Sequence, residues 1–266
     1  MDDMVDLVPT VTPAVPGSPR KRLMQLLARL IEASGAQSAE LAGSAPLIET
    51  VLNQPVDRRE FHDRALESDR LGRLRTAVNS YSAGDTAIHG SADPSHLRTI
   101  AQLTLAVMVR NWGFSQEEFT DRGPVADPHP GEARFPAYRV QVIIALGELA
   151  DVEFMSEAWF SEYGRPDDQL NGLWWVYQVL FEDFGSFPKI EDEELYVYLP
   201  GREMEQMGQL AALLEPLYED LLADDRHASQ DPRWPAVTEL AGKTLTTMVL
   251  NWGFPPFISE LWVPDS

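Results

Sequence analysis

The sequence predicts an all-α fold of two pseudo-equivalent helical units, which come from an internal duplication and pack as one compact molecule. Two observations predict it. Nearly every segment places apolar residues at the three- and four-residue spacing of one helix face. In addition, residues 97–114 match residues 237–254 at nine of eighteen positions with a constant offset of 140. Both segments end in Asn-Trp-Gly-Phe.

Proline and glycine content divides this chain of 266 residues into four parts. Residues 1–18 form a proline-rich tail that is expected to be disordered. Residues 19–122 are the first helical unit. Residues 123–135, with three prolines and two glycines, are the expected linker. Residues 136–266 are the second, acidic unit.

Helix signals in the first unit predict four elements. The first begins at Ser18-Pro19, which provide an N-cap and a first helical position, and stops before Gly35. The next two are expected at 38–52 and 56–81. Their apolar stripes include Leu23, Leu26, Leu27, Leu30 and Ile31, and then Leu71, Leu74, Val78 and Tyr81.

Charged residues of the helix at 56–81 alternate in sign, which is typical of a solvent-exposed face. We expect this outer face to carry Arg58, Arg59, Glu60, Asp63, Arg64, Glu67, Asp69, Arg70, Arg73 and Arg75.

Aspartate followed by proline begins each repeated helix, at Asp93-Pro94 and at Asp231-Pro232, because Asp is a good N-cap and Pro a good first helical residue.

In the second unit, helices are expected from Pro136 to about Tyr163 and over 168–184. A further stripe predicts a helix that Pro216 should kink or restart; its residues are Met207, Leu210, Leu214, Leu217 and Leu221. Extending the offset of 140 backwards pairs Leu74 with Leu214, Val78 with Tyr218 and Tyr81 with Leu221. LYVYL at 195–199 has strand propensity, but one short strand is not stable alone, and its structure is left open.

The repeated Asn-Trp-Gly-Phe motif fits a helix terminus better than a paired ligand site. The glycines at 113 and 253 can take the left-handed conformation that closes a helix. The following phenylalanines at 114 and 254 then contact the valines at 109 and 249. The tryptophans continue the buried stripe. We expect Asn111 and Asn251 either to cap neighbouring carbonyls or to bind each other across the interface between the units.

Charge is distributed unevenly along the chain, whose net charge is −21. Residues 1–135 hold 18 acids and 14 bases, a net of −4, whereas residues 136–266 hold 24 acids and 7 bases, a net of −17. Phosphate binding relies on Lys and Arg, so direct nucleic-acid binding by the second unit is not expected. Such a surface favours basic proteins. A well-solvated acidic face without a charge-dependent partner is an equally simple interpretation.

Composition excludes several classes. The sequence has no cysteine, which excludes disulfides and thiolate chemistry. Its apolar runs are shorter than the ~20 residues of a membrane helix, and the acidic N-terminus does not resemble a secretory signal. We therefore expect a cytoplasmic protein without a membrane contact.

Partner binding is the preferred functional hypothesis. We expect a protein-binding module that masks a basic partner, most concretely an immunity or inhibitor protein against a cationic toxin, including a nuclease, or a secretion chaperone. The candidate contact residues are Trp175, Glu182, Asp183, Glu191, Asp192, Glu193 and Glu194.

Catalytic signals are weak, and we expect neither a catalytic residue nor a cofactor. The chain has no HExxH pair, nucleophile elbow or phosphate-binding glycine loop. The alternative is a small helical enzyme that uses Asp and Glu with a divalent metal. Its candidate ligands are Glu60, His62, Asp63 and Glu67, or Asp167 and Asp168 with Asn171, although Asp168 is more simply a helix N-cap.

Overall fold

The computed structural model describes residues 19–32, 38–53, 64–82, 94–111, 131–133, 135–156, 172–182, 197, 201–221 and 231–254. These ranges contain nine α-helices and no strand, which confirms the all-α prediction. In the first unit the helices are α1 (Pro19–Glu32), α2 (Ser38–Leu52), α3 (Arg64–Ser82) and α4 (Pro94–Arg110).

Five helices belong to the second unit. They are α5 (Pro136–Leu149), the single turn α6 (Val152–Phe154), α7 (Gly172–Tyr177), α8 (Arg202–Leu221) and α9 (Trp234–Asn251). A π-helical turn, Gln178–Glu182, continues α7.

The centre of the molecule is a group of four helices drawn from both units. Helices α1 and α5 each pack against both α4 and α9. Helix α3 covers α4, and α2 bridges α1 and α3. In the second unit α8 covers α9, and the π-helical turn packs on α5. The contacts between the units are therefore reciprocal: α1 lies on α9, and α5 lies on α4.

The repeated helices supply much of the core, as their matched apolar positions predict. Ala101, Leu105 and Met108 of α4 are fully buried. Their matches in α9, at 241, 245 and 248, are at most 1% exposed. Burial of this stripe in both helices confirms the prediction, and burial of each leucine or methionine side chain stabilises the fold by about 1.5–3 kcal/mol.

Glycines allow close approach where helices of the two units cross. A Cβ atom at Gly147 of α5 would lie 2.6 Å from Cγ2 of Val109 and 3.1 Å from the carbonyl oxygen of Ala106. At Gly242 of α9, a Cβ atom would lie 2.3 Å from Nε2 of Gln102. Both glycines are buried.

Helix α5 is shorter than predicted. It ends at Leu149 rather than near Tyr163, and Ala150 is its C-cap. The reason lies at Asp151, whose backbone leaves the helical conformation (φ −113°) and whose carboxylate accepts the N–H of Phe154. Asp151 thus begins a new turn instead of continuing α5. Residues 157–171 lie outside the described residues.

Helix α9 begins two residues later than an N-cap at Asp231 would place it. Asp231 does not cap the helix; its Oδ1 accepts the backbone N–H of Arg233 at 2.8 Å and closes a local turn. Arg233 is the N-cap, and the helix starts at Trp234. The predicted start after Asp93 agrees with the structure, since α4 begins at Pro94.

Helix α8 continues through Pro216 from Arg202 to Leu221. The predicted restart at this proline is therefore wrong, and the side chain is exposed at the helix surface. Within LYVYL, only Val197 is described, and it lies in a turn. Of the helices described, none combines the length and the apolar character needed to cross a membrane.

Candidate functional site

A buried network joins three helices of the first unit. The Arg20 guanidinium of α1 donates two hydrogen bonds to the Glu67 carboxylate of α3, at 2.7 and 2.6 Å. Asn111, directly after α4, donates its amide N–H to the same carboxylate at 2.9 Å. Arg20 also donates to the carbonyl oxygen of Met108 at 3.1 Å.

The second unit contains a network of the same residue types. Arg139 of α5 donates to both carboxylate oxygens of Glu203 of α8 at 2.8 Å. Asn251, at the end of α9, donates its amide N–H to Glu203 at 2.8 Å. Arg139 also donates to the carbonyl oxygen of Met248 at 3.3 Å. The arginine, glutamate, asparagine and methionine carbonyl therefore meet in the same way in both units.

Arg139 is the more completely enclosed of the two arginines. Its side chain and that of Glu203 are 0% exposed, whereas those of Arg20 and Glu67 are 16% and 10% exposed. Arg139 also donates to the carbonyl oxygens of Trp252 and Val197. All five guanidinium N–H groups thus have an acceptor, which is what burial of an arginine requires.

Gly253 is needed for this arrangement for two reasons. Its φ of +74° lies in the left-handed region that glycine adopts without strain. A Cβ atom there would also lie 2.8 Å from Nε of Arg139. The predicted left-handed glycine is confirmed at this position, and Trp252 and Phe254 are buried beside it. Residues 112–114 of the first motif lie outside the described residues.

The two asparagines differ from their predicted roles. The amide N–H groups of Asn111 and Asn251 neither cap carbonyl oxygens nor bind each other. Each asparagine donates instead to a glutamate of its own unit. Glu67 was also predicted on an exposed face, but it is buried, with 8% of the surface of the whole residue exposed. Its position four residues before Leu71 places it on the buried stripe rather than opposite it.

A third cluster links the units and consists of Arg70 of α3, Arg110 of α4 and Asp151. Arg70 and Asp151 form a two-point ion pair, with one contact at 2.8 Å from Nη2 to Oδ1. Arg110 donates to Oδ2 of Asp151 at 2.5 Å. The side chains of the three residues are 1%, 4% and 0% exposed. Arg70 was predicted on the outer face of its helix, and that prediction is wrong.

Competing effects set the protonation of this cluster. Burial works to raise the pKa of Asp151, but the hydrogen bonds from Arg70 and Arg110 and their positive charges outweigh it and lower the pKa below its usual range. Burial likewise opposes the charge of Arg70, and Asp151 overcomes this opposition and raises the arginine pKa. The carboxylate is therefore held ionised while fully enclosed.

The predicted contact residues are only partly placed. Trp175 of α7 is partly buried and packs against the hydrophobic core. Glu182 is the last residue of the π-helical turn. Asp183, Glu191, Asp192, Glu193 and Glu194 lie outside the described residues. Whether these candidates form one site stays a prediction, because only Trp175 and the backbone of Glu182 are among the described residues.

The proposed metal ligands form no site in the part of the chain that is described. Glu67 is bound to Arg20 and Asn111. The other candidates, at 60, 62, 63, 167, 168 and 171, lie outside the described residues.

The bases described in the second unit are each bound to a carboxylate of the same chain. Arg139 binds Glu203, Arg202 binds Glu32, Arg233 binds Asp220 and Asp231, and Lys243 binds Glu239. Hydrogen bonds from Arg233 lower the pKa of Asp231 to about 2. Acidic side chains at 205 and 215 of α8 and at 239 of α9 are exposed. Glu205 and Glu215 therefore place negative charge on the exposed side of α8. Comparison with protein families, with curated proteins and with solved structures gives no match for this chain.

Proposed function

We propose that this chain is a cytoplasmic protein-binding module whose acidic second unit masks a basic partner. The most concrete form is an immunity or inhibitor protein against a cationic toxin, including a nuclease. A secretion chaperone for a basic effector is a close variant. One observation supports the proposal most directly: the second unit has 24 acids against 7 bases, and its described bases are each paired with a carboxylate of the same chain.

The excess of acids leaves most of the negative charge of the second unit uncompensated by its own bases. The second unit has a net charge of −17, and Glu205 and Glu215 project from the exposed side of α8. A field of one sign over a surface attracts a partner of opposite charge and accelerates its association. Surface ion pairs contribute little to stability, so the stability of the fold does not by itself explain such an excess of acids.

We further infer that the units are copies of one ancestral unit related by an approximate two-fold axis. The matched networks support this inference, since Arg20 corresponds to Arg139 and Glu67 to Glu203. The reciprocal packing of α1 on α9 and of α5 on α4 also supports it, because a two-fold interface repeats each contact with the partners exchanged.

The networks also revise the alignment of α3 with α8. Glu67 and Glu203 are 136 positions apart, not 140. This shift of four residues pairs Leu71, Leu74 and Val78 with Met207, Leu210 and Leu214, all at most 2% exposed. With the offset of 140, Val78 would instead pair with Tyr218, which is only partly buried. The offset of 140 applies to α4 and α9.

Affinity purification from the native host tests the function. The variant Glu205→Lys/Glu215→Lys reverses exposed charges of α8. Its control, Asp69→Lys/Asn79→Lys, changes the corresponding exposed positions of α3 in the first unit. We expect mass spectrometry to identify a basic protein with the wild type and with the control, and several-fold less of it with the α8 variant. Equal recovery with all three proteins, or no basic protein with the wild type, would contradict the proposal.

A further inference from the structure

The cluster of Arg70, Arg110 and Asp151 lies on one side of the interface between the units. Asp151 comes from the second unit and both arginines from the first, so the cluster requires both units. Arg70 also donates to the carbonyl oxygen of Leu103 at 2.8 Å, which fixes its position on α4.

The opposite side of the interface lacks these charges. If the units are related as proposed above, Glu32 corresponds to Asp151, Gln206 to Arg70 and Leu250 to Arg110, with the offsets set by the three network residues of each unit. Glu32 does reach α8, where it pairs with Arg202, but both side chains are substantially exposed, at 35% and 57%. Gln206 is 8% exposed, and its buried Oε1 atom accepts no hydrogen bond.

We propose that the Arg70–Asp151–Arg110 cluster determines which units pair. It favours the pairing of a first unit with a second unit over the pairing of two second units from different copies of the chain. This proposal rests on the two-fold relationship inferred above. If two second units paired, each Asp151 would face Gln206 and Leu250 of the other copy. The enclosed carboxylate would then lose both buried arginines and meet only Arg202, the exposed partner of Glu32, which is unfavourable.

Small side chains do not supply the same selectivity. Gly147 packs closely against Val109 at one crossing; the corresponding residues of the other crossing, Ala28 and Val249, are both fully buried. Two second units would place Gly147 against Val249 instead of Val109, so this glycine packing does not disfavour their pairing. The ionic cluster is the feature that distinguishes the two arrangements.

Refolding at high concentration tests the proposal with the full chain. The variant Arg70→Gln/Arg110→Leu/Asp151→Asn removes every charge of the cluster and gives the first unit the residues of the second. At about 1 mM chain, pairing between copies competes with pairing within one chain, because two tethered partners have an effective concentration on the order of mM. We expect light scattering after size-exclusion chromatography to show a several-fold larger dimer fraction than for the wild type, with helical content unchanged.

Two further variants make the result decisive. Arg75→Gln/Glu49→Gln removes an exposed ion pair of the first unit that does not contact the cluster and should leave the wild-type dimer fraction. Arg110→Leu alone keeps the Arg70–Asp151 pair and should give an intermediate fraction; it decides the test if the triple variant fails to fold. A helical variant with the wild-type dimer fraction would overturn the proposal. Partner capture by the exposed acids does not use these buried side chains, so the two proposals fail separately.

Discussion

Gln102 lies against Gly242, the residue 140 positions further along the chain, with Nε2 2.3 Å from where a Cβ atom of Gly242 would be. The two residues occupy the same position in the repeated segment. In a two-fold arrangement, equivalent residues contact each other only close to the axis. This contact therefore indicates where the axis between the units would pass.

Exchanging these two residues tests the two-fold relationship. Gly242→Gln alone places two glutamines in the space of one, and Gln102→Gly alone removes a helix-favouring side chain. The exchange Gln102→Gly/Gly242→Gln should restore the original packing from the other side. We expect a coupling free energy of roughly 0.5–3 kcal/mol in favour of the double variant, measured by urea denaturation. Additive effects would show that the two sides are not equivalent.

A second prediction concerns the crossing of α4 and α5. Gly147→Ala should destabilise the protein by about 1–3 kcal/mol, because the added carbon would meet the side chain of Val109 and the backbone of Ala106. Gly208→Ala in α8 is the control. Nothing lies within 4 Å of its added carbon, and alanine is favoured over glycine in a helix by roughly 0.5–1 kcal/mol. Chemical denaturation should therefore give opposite signs for the two variants.

The left-handed turn after α9 gives a third prediction. Gly253→Val should destabilise by about 1–3 kcal/mol, because a β-branched residue fits a φ of +74° poorly. Its side chain would also displace the Arg139 guanidinium. Thermal melts followed by circular dichroism provide the measurement. If the melting temperature does not change but partner binding is lost, the motif is a functional surface rather than a helix terminus.

The fourth prediction follows from the lowered pKa of Asp151. A carboxyl group with a folded-state pKa below its unfolded value stabilises the protein fully above about pH 4. That contribution is lost as the pH falls through the lowered pKa. Asp151→Asn should cost about 3–5 kcal/mol near pH 7, since it removes the buried carboxylate that Arg70 and Arg110 share.

The pH dependence of unfolding separates this effect from a loss of packing. Wild type and Asp151→Asn should converge in stability as the solution is acidified below about pH 4. A difference in unfolding free energy that stays constant to the lowest accessible pH would contradict an electrostatic role.

The sequence predicts the helices well where apolar spacing is regular. The boundaries of α2 and the buried stripes of α4 and α9 follow from it. Its errors lie where a side chain competes with the helix: Asp151 ends α5 by binding a backbone N–H, and Asp231 forms a local turn with Arg233. Such local hydrogen bonds change a boundary without changing the apolar pattern.

The buried ion pairs were missed because charged residues were assigned to exposed faces. A signal was nevertheless present. Glu67 and Glu203 each stand four residues before the first apolar member of a stripe, at Leu71 and Met207, and so extend it on the buried side. The partners Arg20 and Arg139 lie in other helices, and no local spacing identifies them.

The association rate with the basic partner, measured against salt concentration, tests the central claim most directly. Long-range attraction is screened over ~8 Å at physiological salt and ~3 Å at 1 M. We predict that stopped-flow measurements show the association rate falling by about tenfold or more between low salt and 1 M, while the dissociation rate changes little. Charge reversal at Glu205 and Glu215, or at 191–194, should lower the low-salt rate further. An association rate that does not depend on salt concentration, or a partner that contacts α3, would contradict the account.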